Sequence, residues 1–163
     1  MWLVLDATPL IYLIRSGFYK HFSDLDVELF TTGEVIEELK LNEPGYPENQ
    51  IITRLIEDKI LGISNPKKAL KVIDGTHKGE ASVIALAREK AATAVIDDRI
   101  ARLYAKAFRV KTVHSTFLVF LALKKGLISK QKAKDIIDSM IDAGWRCDVE
   151  TYKNVFQIID SID

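Results

Sequence analysis

Trp2-Leu3-Val4-Leu5-Asp6-Ala7-Thr8-Pro9-Leu10-Ile11 passes from a strand-like run to a helix-like one within ten residues. Trp2 to Leu5 is an apolar run too short for a helix, and it stops at an acid. Thr8 and Pro9 then stand where a helix N-cap and first helical residue belong, since a hydroxyl serves the orphaned N–H groups and proline has none to lose. Leu10, Ile11, Leu13 and Ile14 supply an apolar stripe and Gly17 a C-cap. The prediction is a strand over 2–5, then a helix, with Asp6 at the junction.

The alternation continues along the chain. Val27–Phe30 reads as a second strand, with Thr31 or Thr32 capping a helix from Gly33 to about Leu41 that Pro44-Gly45-Tyr46-Pro47 breaks. A helix from about Glu48 to Asp58 leads to a third strand, Ile60–Ile63, a turn at Asn65-Pro66 and a loosely helical stretch. The strongest helix runs from about His77 to Lys90, and Thr93–Ile96 forms a fourth strand closed by Asp97-Asp98. Helix Arg99–Ala107 precedes a fifth strand, Val110–Val113. Strands separated by helices at this rhythm need parallel crossovers. The predicted class is α/β, a three-layer sandwich with helices on both faces of a five-stranded parallel sheet. Helices over Ser115–Lys125, Lys130–Ala143 and Asp148–Ile159 follow, parted by Gly126 and Gly144. No repeat or linker divides the chain, so residues 1–163 read as one domain, a sheet core over 1–114 and a helical extension over 115–163. Phe117–Leu123 has no polar side, and that helix is expected to be covered all round by core, or by core and a dimer interface.

Composition excludes several classes. With 48% hydrophobic residues, 8 Gly, 4 Pro and one Cys in 163 residues, the chain is neither disordered, collagen-like nor disulfide-stapled. The lone Cys147 fits a reduced, cytoplasmic setting as a packed thiol. The start lacks a basic n-region, which argues against a signal peptide. The longest apolar run, Phe117–Leu123, falls far short of the roughly 18 residues a membrane span needs, so a soluble protein is expected. Net charge is zero, but residues 1–58, 59–134 and 135–163 carry −7, +12 and −5. The basic middle suits a polyanion; it suits solvated helix faces equally.

Ligands of an open parallel sheet bind beyond the carboxyl ends of its strands. Asp6 ends the first strand and Asp97-Asp98 the fourth, so three acids reach that edge by two routes. Each alone would serve as a turn or N-cap acid. Glu80 precedes Val83, Ile84 and Ala87 by three, four and seven residues, which places it on the buried side of its helix. A first-turn acid supporting the helix dipole, beside Thr76 and His77, is the alternative. Glu38 lies about 105° from the apolar centre of its helix and Glu37 about 155°, making Glu38 the better candidate. Converging carboxylates repel, and a divalent cation relieves them. All-oxygen ligation selects Mg²⁺ or Mn²⁺ over zinc, and His21, His77 and His114 lack metal-ligand spacing. No phosphate loop, nucleophile elbow or zinc-protease motif is present.

The strand ending at Asp6, the helix with Glu37-Glu38-Leu39, the stretch Gly79-Glu80-Ala81-Ser82-Val83-Ile84-Ala85-Leu86-Ala87 and the turn Val95-Ile96-Asp97-Asp98-Arg99-Ile100-Ala101-Arg102, in this order, resemble a PIN-domain protein over nearly the whole chain. The opening Asp6-Ala7-Thr8-Pro9-Leu10-Ile11 is similar to that of the prokaryotic VapC-like toxin branch. The resemblance implies sheet order 3-2-1-4-5, an acidic metal pocket and cleavage of single-stranded RNA. It maps the catalytic acids onto Asp6, Glu38, Glu80 and Asp98, with Asp97 sharing or replacing the last role, and the Mg²⁺ or Mn²⁺ ligands onto Asp6, Glu80 and Asp98. Thr8 matches a hydroxyl that supports the first acid, and Ser115 and Thr116 match the pocket rim, where His114 departs from the family's pattern. Arg99 and Arg102 lie in the basic segment that would track the phosphate backbone, or simply solubilise the surface. A small cognate antitoxin and a homodimer are the partners implied. A phosphatase of the haloacid-dehalogenase type needs an acid where Thr8 stands, and a receiver domain needs one within Ile63-Ser64-Asn65; neither is there. The remaining alternative is an inactive PIN-like module that binds RNA or protein.

Overall fold

The computed structural model describes residues 1–163. Strands β1 (Trp2–Leu5), β2 (Glu28–Thr31), β3 (Leu61–Ile63), β4 (Thr93–Val95) and β5 (Thr112–Val113) form one parallel sheet in the order β3-β2-β1-β4-β5. The helices are α1 (Ala7–Arg15), α2 (Gly33–Leu39), α3 (Pro47–Glu57), α4 (Lys78–Lys90), α5 (Arg99–Ala107), α6 (Thr116–Lys124), α7 (Lys130–Asp142) and α8 (Val149–Ser161), with a 3₁₀ segment over Phe18–Asp24. This is the α/β sandwich expected.

The chain divides into two compact units. The first, Met1–Leu10 with Asp26–His114, holds the sheet and α2 to α5. Its central strand β1 is apolar without alternation, Leu3, Val4 and Leu5 being fully buried, as a strand covered on both faces requires. Leu5 pairs with Val95, and the Asp6 N–H extends the ladder to the Val95 carbonyl at 3.1 Å. The chain order reverses between β1 and β4, and both strands leave the sheet at the same edge.

The second unit, Ile11–Leu25 with Ser115–Asp163, holds most of α1, the 3₁₀ segment and α6 to α8. Leu118, Val119 and Ala122 are fully buried, but Phe117, Phe120 and Leu121 are only half-buried. Helix α6 is therefore not covered all round: residues three and four apart share one face, and that face keeps apolar surface. No helix is long and apolar enough to cross a membrane.

Three local expectations shift. Helix α1 begins at Ala7, with the Asp6 carbonyl accepting from the Leu10 N–H at 3.2 Å, so Thr8 and Pro9 lie inside the first turn. Proline is tolerated throughout that turn because its N–H would be orphaned anyway. The stretch after Pro66 forms no helix. Its donors go to side chains instead: Lys67 N–H to Glu89 Oε2 at 2.8 Å and Ile73 N–H to Thr76 Oγ1 at 3.2 Å. Strand β5 shrinks to two residues because Arg109 takes a left-handed turn, φ 58°, and the Val110 N–H still closes α5 on the Ala105 carbonyl.

Candidate active site

Asp6 sits at the centre of the carboxyl edge, 4% exposed. Its Oδ1 is buried without a hydrogen-bond partner. Burial, opposed by the Ala7 N–H and reinforced by Glu80, Glu38 and Asp97, pushes its carboxyl up to about 8. A buried carboxylate with a bare oxygen and three acidic neighbours is a position that calls for a cation.

Glu80 is 7% exposed, on the buried side of α4 as its spacing predicted. Its Oε2 accepts the His77 N–H at 2.8 Å, so it also performs the helix-capping duty of a first-turn acid. Burial raises its pKa against the lowering effect of the His77 N–H, and Asp98 and Glu38 raise it further. Glu38 has an exposed stem, but its Oε1 accepts the Gly79 N–H at 2.8 Å. A hydrogen-bonded relay holds α2 against α4 at this point. The Val35 N–H caps onto Thr32 Oγ1 (3.3 Å), Thr32 donates to Ser82 Oγ (2.6 Å), and Ser82 donates to the Gly79 carbonyl (2.7 Å). Glu37, exposed, has no part in it.

Beyond β4, Asp97 and Asp98 turn to different tasks. Asp98 is the N-cap of α5, its Oδ1 accepting the Ala101 N–H at 2.8 Å. The Asp97 side chain is 10% exposed and acts on Asp6, while Asp98 acts on Glu80. Asp97 Oδ1 lies 3.6 Å from His114 Nδ1, and the Arg102 guanidinium rests on the same imidazole, with Nη1 2.7 Å from Nδ1 and in contact with Nε2. Burial lowers the pKa of Arg102, and Asp97 and Asp98 oppose that shift.

The first unit thus gathers Asp6, Glu38, Glu80, Asp97 and Asp98 into one electrostatically coupled group, with Arg102 beside it. Arg99 is exposed on the first turn of α5. Thr8 is exposed, and no hydrogen bond joins it to Asp6. Ser115 and Thr116 belong to the second unit and are buried. The relay residue Ser82 and the Arg102–His114 contact escaped the sequence reading; the only signal was their distance of two to four residues from acids already singled out, Ser82 from Glu80 and Arg102 from Asp98.

The donor set fits a hard divalent cation. It is all carboxylate oxygen, and Asp6 Oδ1 has no other partner. No three His, Cys, Asp or Glu side chains form a ready-made ligand group; Glu80 and Asp98 each give one oxygen to a helix cap. Thiol chemistry has no support. Partial burial, and then Asp148, hold the Cys147 thiol above its usual pKa, where little thiolate forms.

No curated protein matches the sequence. A PilT N-terminus domain protein from the hyperthermophilic archaeon Sulfolobus solfataricus P2 is similar at 13% identity and a TM-score of 0.46, covering 72% of this chain and 90% of that one. The family model DUF3368, described as a PIN domain, matches residues 2–161. PIN domains are generally nucleases that use divalent metal ions. By that match over almost its full length, the chain belongs to the DUF3368 family of PIN domains.

Proposed function

We propose that the protein is a Mg²⁺- or Mn²⁺-dependent endoribonuclease, a VapC-like toxin that cuts single-stranded RNA at the carboxyl edge of its sheet. The observation that carries this is Asp6: buried, one oxygen bare, and pressed by Glu80, Glu38 and Asp97. A bound divalent ion would supply positive charge to the phosphate and lower the pKa of a water molecule. Asp6, Glu80 and Asp98 would hold the ion, with Asp97 assisting. Glu38, anchored on the Gly79 N–H, keeps a second carboxylate oxygen to orient the attacking water. Water oxygen joins phosphorus and the 3′ oxygen leaves, giving a 5′-phosphate and a 3′-hydroxyl.

The same reading places the protein in the cytoplasm, with a small cognate antitoxin covering the acidic edge and a second copy of the chain as dimer partner. The half-buried Phe117, Phe120 and Leu121 supply apolar surface for that dimer.

A second reading, an inert module that binds RNA or protein, draws on the capping duties of Glu80 and Asp98, since acids kept for helix ends need no metal. Labelled single-stranded RNA incubated with the purified protein in Mn²⁺ or in EDTA separates the two. The nuclease reading requires cleavage in Mn²⁺ that EDTA abolishes and that Asp6→Asn reduces at least about a hundredfold. Binding without cleavage supports the inert module, and cleavage indifferent to both changes overturns the assignment of Asp6.

A further inference from the structure

Helix α5 carries apolar residues on two sides. Its small alanines, Ala101 and Ala105, are fully buried, while Ile100 and Leu103 stand 46% and 57% exposed. Ile100, Leu103, Tyr104 and Ala107 recur at the three-and-four spacing of one helix face, and none of them is buried. Large aliphatic side chains outward and alanines inward invert the order that burial alone would select. The segment before α4 continues this surface. Val72 and Ile73 are exposed there, Tyr104 donates to the Lys71 carbonyl at 2.5 Å, and Ile100 lies against Gly75, where a Cβ would meet its Cδ1 at 2.9 Å. Four of the nine large apolar side chains that the chain leaves exposed thus come from two segments that touch.

Hydrogen bonds hold the irregular segment in place. The Ile73 N–H goes to Thr76 Oγ1 at 3.2 Å, that hydroxyl returns to the Ile73 carbonyl at 2.9 Å, and Glu89 takes the Lys67 N–H. A surface ordered in advance loses less entropy on binding. Beside Val72 a cleft of about 220 Å³, lined also by Leu70 and Lys78 and with Glu34 as its one acid, has room for a large apolar side chain. Positive charge surrounds the apolar centre: residues 67–78 and 99–107 hold seven lysines and arginines against a single acid, Asp74. An apolar core with a charged rim is the anatomy of a protein interface, and the sign of this rim asks for an acidic partner.

We propose that the outer face of α5 and the segment 67–76 form a docking surface for an amphipathic helix of another protein, one whose apolar stripe is flanked by glutamates or aspartates. A stripe at i, i+3, i+4 and i+7 packs against a helix of the same spacing. Nucleic acid fits this face less well. Bases stack on aromatic rings, and the one ring of the stripe, Tyr104, is tied to the Lys71 carbonyl and set edge-on to Phe108. A second copy of the chain also fits less well: the apolar helix α6 carries no acid, and Val149 and Ile158, the exposed large apolar residues of α8, fall on opposite sides of that helix. The inference goes beyond the nuclease reading and does not depend on it.

The probes are labelled helical peptides of about 20 residues with leucines at i, i+3, i+4 and i+7, flanked by glutamates, flanked by lysines, or with the glutamate sequence scrambled. Fluorescence anisotropy on the full chain in EDTA reads their binding. The glutamate peptide is expected to bind in the micromolar range, and the lysine and scrambled peptides at least about tenfold more weakly. Leu103→Ser, at an exposed position and without change of charge, weakens the glutamate peptide about tenfold while its thermal melt stays close to that of the wild type. Lys71→Glu weakens it several-fold and flattens its salt dependence. Backbone amide shifts on titration fall within 67–76 and 99–107. Failure of the glutamate peptide to bind at about 1 mM, equal binding of the scrambled peptide, or indifference to Leu103→Ser overturns the proposal. So does a wild-type dimer that Leu103→Ser dissociates, which gives the face to a second copy, or single-stranded RNA whose binding Leu103→Ser weakens as much as the peptide's, which gives it to nucleic acid. Cleavage enters none of these readouts, so the nuclease reading stands or falls separately.

Discussion

The Glu38 carboxylate lies where a side chain at residue 79 would begin: its Oε1 takes the Gly79 N–H at 2.8 Å, and a Cβ built on Gly79 would meet Glu38 Cδ at 2.8 Å. Two acids from different helices, Glu38 of α2 and Glu80 of α4, are held one residue apart by this contact. Gly79→Ala should therefore expel the Glu38 carboxylate while leaving the fold intact, because the displaced group is the far end of a flexible chain and alanine is the better helix former by up to about 1 kcal/mol. RNA cleavage should fall about tenfold or more with the melting temperature unchanged or higher. Full activity in Gly79→Ala would remove Glu38 from the site.

The relay through Thr32 and Ser82 predicts non-additive stability. Thr32→Val removes the α2 cap and the donor to Ser82, and Ser82→Ala leaves Thr32 without its acceptor. Each single change should cost about 1–2 kcal/mol, and the double variant less than their sum, since neither hydroxyl is then stranded. Denaturant melts of the cycle measure this; strict additivity would mean the relay does not couple the helices.

The sheet, its helices and the burial of Glu80 were legible because they are periodic: Trp2–Leu5 stops at Asp6, and Glu80 leads Val83, Ile84 and Ala87 at helical spacing. What stayed illegible depends on contacts between distant segments. Asp97 and Asp98 are adjacent in sequence, and only the start of α5 decides that Asp98 caps the helix while Asp97 acts electrostatically on Asp6. The stretch around Lys67 to Thr76 carries helix-forming residues, yet Glu89 and Thr76 capture its N–H groups. Residues 11–25 group with 115–163, a partition that chain order hides.

Stability without metal should fall as pH rises. Asp6 ionises near 3.8 when unfolded and near 8 when folded, so between those values the native state holds the extra proton and stability decreases with pH. The loss is complete by about pH 8 and amounts to a few kcal/mol, with Glu80 adding in the same direction. Asp6→Asn lacks this ionisation, so in EDTA it should melt above the wild type at pH 8 and close to it at pH 4. A wild-type melting temperature that rises steadily from pH 5 to pH 8 in EDTA would contradict the burial of a lone acid.

The half-buried face of α6 predicts self-association. Size-exclusion chromatography at micromolar concentration should give a dimer, and Phe120→Asp should give a monomer that retains its fold. A wild-type monomer would remove the homodimer from the account.

Calorimetric titration of Mn²⁺ into the metal-free protein at pH 7, repeated in buffers of different ionisation enthalpy, reads ion binding and proton release together. A carboxyl that titrates near 8 is mostly protonated at pH 7 and must give up its proton to hold a cation. Release of close to one proton per ion bound is expected, lost along with tight binding in Asp6→Asn. Absence of Mn²⁺ binding, or binding that Asp6→Asn leaves unchanged, would contradict a metal site built on Asp6.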